Sequence, residues 1–268
     1  MKMMPANPIE ARRVTADTLS LTVHLPVPGL GVLPVSAFVI EASDPVIVDA
    51  GVVTLREAFL EGFRRAIDLG DVRWIWLTHT DPDHTGCLEA LLEAAPRARV
   101  VTTFLGMAKM GLHRPLPPER VFLLNPGQAL DAGDRRLVAL RPPTFDAPET
   151  TGLFDTRTRA LFSADSFGAL LDTPAESARQ VAEGALRDGL VTWAGVDAPW
   201  LAGTDAGALD RALGAVLDLD AAVVLGSHLP PAPGMAPTLV RHLAEARHAA
   251  PFVGPDQAAL AAVLRGAA

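Results

Sequence analysis

Between Thr78 and Gly86 the chain reads Thr-His-Thr-Asp-Pro-Asp-His-Thr-Gly, so four side chains able to bind a metal ion, His79, Asp81, Asp83 and His84, fall within six residues. Imidazole nitrogens and carboxylate oxygens together suit first-row divalent ions. Four such groups around a proline have little purely structural rationale. The preceding run Arg73-Trp74-Ile75-Trp76-Leu77 reads as a buried strand that Pro82 prevents from continuing. Gly86 opens a helix-like segment with Leu88, Leu91 and Leu92 on one face. The ligands are thus launched from the rigid end of a strand.

Other strand-like runs also end on candidate ligands. Arg141-Pro142-Pro143-Thr144-Phe145 ends on Asp146, Ala160-Leu161-Phe162-Ser163-Ala164 on Asp165, and Ala221 to Ser227 on His228. Three imidazoles and four carboxylates suit two metal ions, each with about three terminal ligands and a shared bridging carboxylate. Taken singly, a strand-end Asp reads as a turn former, and His24, His113, His242 and His248 read as ordinary histidines. Cys87 is the only cysteine, which excludes an internal disulfide and a thiolate zinc cluster. Tyrosine is absent altogether, which removes one frequent hydrogen-bond and proton donor.

The elements that must position these groups alternate between strands and helices. Leu19–Val23 and Pro34–Ile40 read as strands separated by a loop holding Pro26, Pro28, Gly29 and Gly31, followed by the β-branched run Val46-Ile47-Val48 that ends on Asp49, Ala50 and Gly51. Thr54 and Glu57 fit a capping box for an amphipathic helix that Gly70 stops. Ala98–Thr102 reads as a strand, and Val121–Leu140 as a hairpin-like stretch with turns at 125–127 and 132–134. Thr173-Pro174-Ala175-Glu176 reads as a second capping box opening a mainly helical region. An amphipathic helix follows around Leu209–Leu217, and helices near 237–249 and 256–265 close the chain. Strands then helices occur twice, which two similar halves packed sheet against sheet would satisfy.

The chain has 268 residues, enough to bury a large core, and is expected to form a single domain over 1–268. Nearly half the residues are apolar, yet no run approaches the ~18 uninterrupted apolar residues of a membrane span. The opening Met1-Lys2-Met3-Met4-Pro5 leads into polar residues without an apolar signal core, so a cytoplasmic protein with no membrane partner is expected. A net charge of −8 argues against a nucleic-acid partner.

The segment His79-Thr80-Asp81-Pro82-Asp83-His84 resembles the metallo-β-lactamase superfamily signature HxHxDH, with Asp81 where the second histidine usually stands. An acidic residue there is similar to the flavodiiron branch, HxExDH. Val46–Gly51 is similar to the superfamily's early strand motif, Phe162–Gly168 to the flavodiiron segment with the bridging aspartate, and Gly226–Pro230 to its last-histidine segment. The resemblance, over roughly residues 20 to 235, implies an α/β fold of four layers, an αββα sandwich, with a dinuclear site along one sheet edge. It implies that His79 and Asp81 bind one metal, that Asp83, His84 and His228 bind the other, with Asp83 and His84 in the catalytic role, and that Asp165 bridges. The first metal's third ligand should be a histidine. Asp146-Ala147-Pro148-Glu149-Thr150 occupies that segment, placing Asp146 there, with Glu149 a lesser substitute.

Four aspartates against two divalent ions give formal neutrality, one negative charge more than a site with histidine at 146. That favours hard, oxygen-preferring ions, so iron is expected first and manganese next, ahead of zinc. Three functions are open on this reading. One is a diiron protein that binds or reduces O2 or NO. Flavodiiron enzymes carry a flavodoxin domain after this module, and the chain ends soon after His228, so a separate flavoprotein or rubredoxin-like donor is expected. The second is a metallohydrolase for thioester, lactone or phosphoester substrates, using a metal-bridging hydroxide. The third is a non-enzymatic oxygen sensor. A homodimer is an open assembly state, and Trp193 and Trp200 are assigned to helix packing rather than to a pocket wall.

Overall fold

The computed structural model describes residues 8–266. Its strands fall into two sheets, and the chain finishes the first before starting the second. The first holds β1 (Ala11–Arg13), β2 (Thr18–Val27), β3 (Gly31–Ile40), β4 (Val46–Val48), β5 (Trp74–Trp76), β6 (Arg99–Thr102) and β7 (Val121–Leu123), neighbours in that order. β2 and β3 form a long hairpin, paired from Thr18 with Ile40 to Val27 with Gly31. From β4 to β7 the strands run parallel. Parallel neighbours need crossover connections, supplied by helices α1 (Arg56–Ala66), α2 (Leu88–Ala94) and α3 (Phe104–Gly111). β4 is three buried β-branched residues, the composition of a strand covered on both faces.

The second sheet holds β8 (Ala129–Asp131), β9 (Arg136–Leu140), β10 (Gly152–Asp155), β11 (Ala160–Phe162), β12 (Val223–Leu225) and β13 (Ala232–Pro233), in the spatial order β13-β12-β11-β10-β9-β8. Only β11 and β12 pair in parallel. Their long crossover contains α4 (Glu183–Asp197) and α5 (Ala206–Asp218), while α6 (Ala236–Glu245) and α7 (Gln257–Gly266) follow the last strand.

Three apolar clusters correspond to the three interfaces of four layers. Ala58, Phe59 and Phe63 of α1 and Leu88 and Leu91 of α2 pack on Leu21, Val39, Ile47 and Ile75 of the first sheet. Between the sheets, Phe38, Val48, Trp76 and Val101 meet Leu137, Leu153, Phe162 and Leu225. The Phe38 and Phe162 rings stand edge to face at 5.3 Å. On the far side, Leu161 and Val224 are covered by Leu186 and Leu190 of α4, Leu213 of α5 and Leu239 of α6. The architecture is the expected αββα sandwich.

Several local expectations are corrected. The loop expected at 26–31 shrinks to a turn, because Pro26 pairs with Val32 inside the hairpin. Neither capping box forms. Val53–Leu55 is a short 3-10 turn leading into α1, whose first residue is preceded by Leu55 without a side-chain cap. Glu176 instead pairs with Arg12, and the helix expected there begins only at Glu183. Val121–Leu140 is not one hairpin, since β7 completes the first sheet while β8 and β9 begin the second. Residues 141–146 form a loop rather than a strand, and β10 was not expected. Among the described residues no helix is long and apolar enough to cross a membrane.

Candidate metal centre

Three ligand candidates share one placement: His79 lies three residues past β5, Asp165 three past β11 and His228 three past β12. Parallel neighbours deliver their carboxyl ends to the same edge, where open α/β sheets build their sites. Asp49, directly after β4, reaches that edge as well.

Asp49 organises the turn at 78–86. It is fully buried with a left-handed φ of 59°, and its carboxylate accepts the Thr78 amide at 2.8 Å, the Thr78 hydroxyl at 2.8 Å and His84 Nδ1 at 2.9 Å. The Ser227 hydroxyl donates to it from the second sheet at 3.4 Å. A carboxylate can only accept, so it places a proton on Nδ1 of His84 and turns Nε2 toward the cluster. His228 is oriented the same way by donating Nδ1–H to the Pro34 carbonyl at 2.8 Å.

The turn itself is closed by the His84 and Thr85 amides, which both donate to the Asp81 carbonyl. It is stitched to the loop after β4 by Ala50 N–H to the His84 carbonyl and Gly86 N–H to the Gly51 carbonyl, both 2.7 Å. Gly86 is required by this approach: a Cβ there would lie 2.3 Å from the Gly51 oxygen and 2.4 Å from the Val52 carbonyl carbon. Cys87 is buried beside the turn, donates its S–H to the Ala50 carbonyl, and has its pKa pushed up to about 12 by burial. That thiol is not a ligand candidate.

In the second sheet Ser163 to Gly168 forms a compact turn with Ala164 at φ 52° and Phe167 at φ 65°. Gly168 N–H returns to the Asp165 carbonyl at 3.0 Å. Ser166 ties this turn to the loop that carries Asp146: its hydroxyl donates to the Thr144 carbonyl at 2.8 Å and accepts from the Thr144 amide and hydroxyl.

The side chains converge. Asp165 Oδ1 lies 3.2 Å from His84 Nε2 and 3.5 Å from His228 Nε2, and Oδ2 lies 3.4 Å from His79 Nε2. Asp83 Oδ2 is 3.3 Å from His228 Nε2 and 3.7 Å from His84 Nε2. Potential ligand atoms fall within 4.8 Å of one another in four sets: His79, His84 and Asp165; Asp83, His84 and His228; His79, Asp81 and Asp146; and Asp146, Asp165 and Asp197. All seven residues named from the sequence are therefore brought to one edge. Glu149 is not among them. It accepts from the Thr80 hydroxyl at 2.9 Å and pairs with Lys109, whose ammonium also stands 4.0 Å from Asp81. His24, His113, His242 and His248 belong to none of the sets.

Trp193, assigned to helix packing from the sequence, and Asp197, which the sequence did not single out, both stand at the site. Trp193 of α4 stacks on His228 at 4.6 Å between ring centres and donates its indole N–H to the Asp165 carbonyl at 3.1 Å, so it walls the site. Trp200 donates to the Phe145 carbonyl and stacks on that ring. Asp197 ends α4, one helical turn beyond Trp193. Its signal in the sequence was an acid in the last turn of a helix, where the backbone dipole disfavours negative charge.

The electrostatics are those of a tightly coupled cluster. Burial opposes ionisation of Asp165, yet His79, His84 and His228 hold its pKa well below the carboxylate range. Burial likewise opposes charge on His228, but Asp165 and Asp83 raise its pKa to about 10. His84 is raised against burial by Asp165, Asp49 and Asp83, and Asp83 is lowered against burial by His84 and His228. Asp146 is raised, by burial first and then by Asp165 and Asp81 against the pull of His79. The fit to cations is direct: Nε2 of His79 and His84 and Oδ1 of Asp165 are buried without a hydrogen-bond partner. They aim at a common centre.

The profile of the ODP family beta lactamases matches residues 34–192, more than half of the chain. The chain belongs to that family. Among the relatives of this ODP family beta lactamase, the putative diflavin flavoprotein A 1 of Thermosynechococcus vestitus is 28% identical over 137 residues, 50% of this chain and 24% of that protein. The anaerobic nitric oxide reductase flavorubredoxin of Salmonella typhi is 26% identical over 134 residues, 50% of this chain and 28% of that protein. The match thus spans about a quarter of the length of these curated relatives. In structure, the ODP family fold superposes on rubredoxin oxygen:oxidoreductase of Desulfovibrio gigas with a TM-score of 0.77 at 17% identity, covering 89% of this chain and 61% of that one. A fragment of the putative diflavin flavoprotein A 5 of Nostoc gives 0.75 at 17% identity, covering 90% and 96%. The solved neighbours are flavodiiron cores of the metallo-β-lactamase fold.

Proposed function

We propose that this chain holds two metal ions, iron in the first place, and that it binds or reduces O2 or NO with electrons from a separate flavoprotein or rubredoxin-like donor. The observation that carries the reading is the convergence of His79, Asp81, Asp83, His84, Asp146, Asp165 and His228 on one edge, with Nε2 of His79 and His84 and Oδ1 of Asp165 buried without a hydrogen-bond partner. The activities for which two similar proteins are named, nitric oxide reduction and rubredoxin:oxygen oxidoreduction, agree with it.

His79, Asp81 and Asp146 would hold one ion, Asp83, His84 and His228 the other, and Asp165 would bridge. Bound iron would supply the electron exchange and the open coordination positions that a diatomic ligand needs. The chain's part is placement. Asp49 and Pro34 fix the faces that His84 and His228 present, and Ser166 holds the Asp165 turn against the Asp146 loop. Trp193 covers His228 and limits water on that side. Carboxylates outnumber imidazoles, which favours iron or manganese over zinc.

The test is anaerobic purification, metal analysis, and then exposure to O2 and to NO with a chemical reductant. Two irons per chain with reductant-dependent consumption of either gas is the expected result. Two zincs, with turnover of a thioester, lactone or phosphodiester in the absence of reductant, would replace this reading by hydrolysis. Iron that forms a long-lived oxygenated species without turnover would replace it by sensing.

A further inference from the structure

Asp197 stands at this edge with a buried carboxylate oxygen that no partner explains. It is 9% exposed, and its Oδ2 is buried without a hydrogen-bond partner. Its carboxylate oxygen lies within 4.8 Å of oxygens of both Asp146 and Asp165. It is also the last residue of α4, where the unpaired carbonyl ends of the helix add to the negative field. A buried carboxylate against two others, at the negative end of a helix, is destabilising unless a cation shares the space.

Asp146 and Asp165 also border the first ion's set. Asp146 belongs to the group with His79 and Asp81, and Asp165 Oδ2 lies 3.4 Å from His79 Nε2. That set has an aspartate in place of the histidine that flavodiiron-like sequences carry at position 146, so it has one nitrogen donor fewer. We propose that Asp197 is a metal ligand, joining Asp146 and Asp165 on the ion held by His79 and Asp81 and making that half of the centre oxygen-rich. α4 thereby contributes to the site through both Trp193 and Asp197, one turn apart.

This inference rests on the dinuclear reading, and the test separates the two. Wild-type protein and Asp197→Asn are stripped of metal and titrated with Mn2+ alone, with uptake read by metal analysis and electron paramagnetic resonance. Asn keeps the size of the side chain and matches a neutral acid in hydrogen bonding. The expected result is two Mn2+ per wild-type chain, and in Asp197→Asn one site unchanged and the other weakened at least tenfold. Thermal melts supply a second readout that does not depend on activity. The metal-free variant should melt at or above the metal-free wild type, since a buried carboxyl facing two others is gone, and the Mn2+-loaded variant below the loaded wild type. Two ions bound to both proteins at equal affinity would overturn the role of Asp197 alone. Fewer than two ions in the wild type would overturn the dinuclear reading together with it.

Discussion

Replacing Asp49 by Asn isolates how one carboxylate, outside the ligand set, prepares His84 for a metal. The substitution adds no backbone strain, because Asn tolerates the left-handed φ of 59° found at this position. What changes is the pattern of donors. The native Oδ1 takes the Thr78 amide at 2.8 Å, and Oδ2 takes His84 Nδ1 at 2.9 Å and the Thr78 hydroxyl at 2.8 Å. An amide has one oxygen. If it occupies the Oδ1 position, the NH2 group faces His84 Nδ1, and the ring is accommodated only by moving its proton to Nε2, the atom 3.2 Å from Asp165. If the amide is flipped, NH2 faces the Thr78 N–H and two donors oppose each other. Either way His84 is less able to offer a free Nε2. Loss of a carboxylate that orients a metal-bound histidine typically weakens binding by about 10–100-fold, or roughly 1.4–2.8 kcal/mol. Mn2+ titration of the stripped variant should therefore show one site weakened by that factor while circular dichroism stays unchanged. Asp49→Ala should in addition lower stability by about 3 kcal/mol or more, since buried donors left unpaired cost about 1–3 kcal/mol each. Wild-type affinity at both sites in Asp49→Asn would refute the argument that Asp49 sets the His84 tautomer.

Four further outcomes follow from the structure. His228, raised to about 10 by Asp165 and Asp83 against burial, stabilises the metal-free fold fully below the ordinary histidine value of about 6.5 and loses that contribution as pH rises through about 10; urea melts of the stripped protein across this window should show the loss, and His228→Gln should abolish it. An ion must displace that proton, so Mn2+ binding at neutral pH should release protons, measurable by calorimetry in buffers of differing ionisation enthalpy. Gly86→Ala drives a Cβ against the backbone at 51–53 and should cost about 1–3 kcal/mol together with metal affinity, whereas Gly184→Ala, with open space around its Cβ in α4, should be neutral or stabilise by up to about 1 kcal/mol. Phe162→Ala empties the space opposite Phe38 between the sheets and should lower unfolding free energy by about 3–5 kcal/mol in urea.

The layered fold and much of the centre were legible because two local patterns carry them. Short apolar runs ending on a ligand marked β5, β11 and β12, and the proline turn packed four ligands into contiguous sequence. Asp146 was placed by resemblance rather than by pattern, since its segment is a loop with no periodicity. What escaped depends on tertiary neighbours. Thr173 to Glu176 has the residues of a capping box, but Glu176 is drawn to Arg12 and the helix starts later. Val121 and Ala129 read as one hairpin because nothing local says that the chain changes sheets between them. Trp193 and Asp197 sit on an amphipathic helix whose sequence announces packing, and only the position of α4 against β11 and β12 turns that face toward the histidines.

The chain leaves the first sheet once, between Leu123 and Ala129, and the candidate ligands divide at the same point: His79, Asp81, Asp83 and His84 precede the crossing, Asp146, Asp165, Asp197 and His228 follow it. The molecule is in effect a heterodimer written as one polypeptide, with the proposed metal centre as the subunit interface. Neither half carries the whole candidate set. Two fragments cut in the exposed Asn125-Pro126-Gly127 turn would then reassociate through the apolar layer between the sheets, and metal would tighten that association by mass action. Strength of assembly and strength of coordination would be one thermodynamic quantity, read from either side.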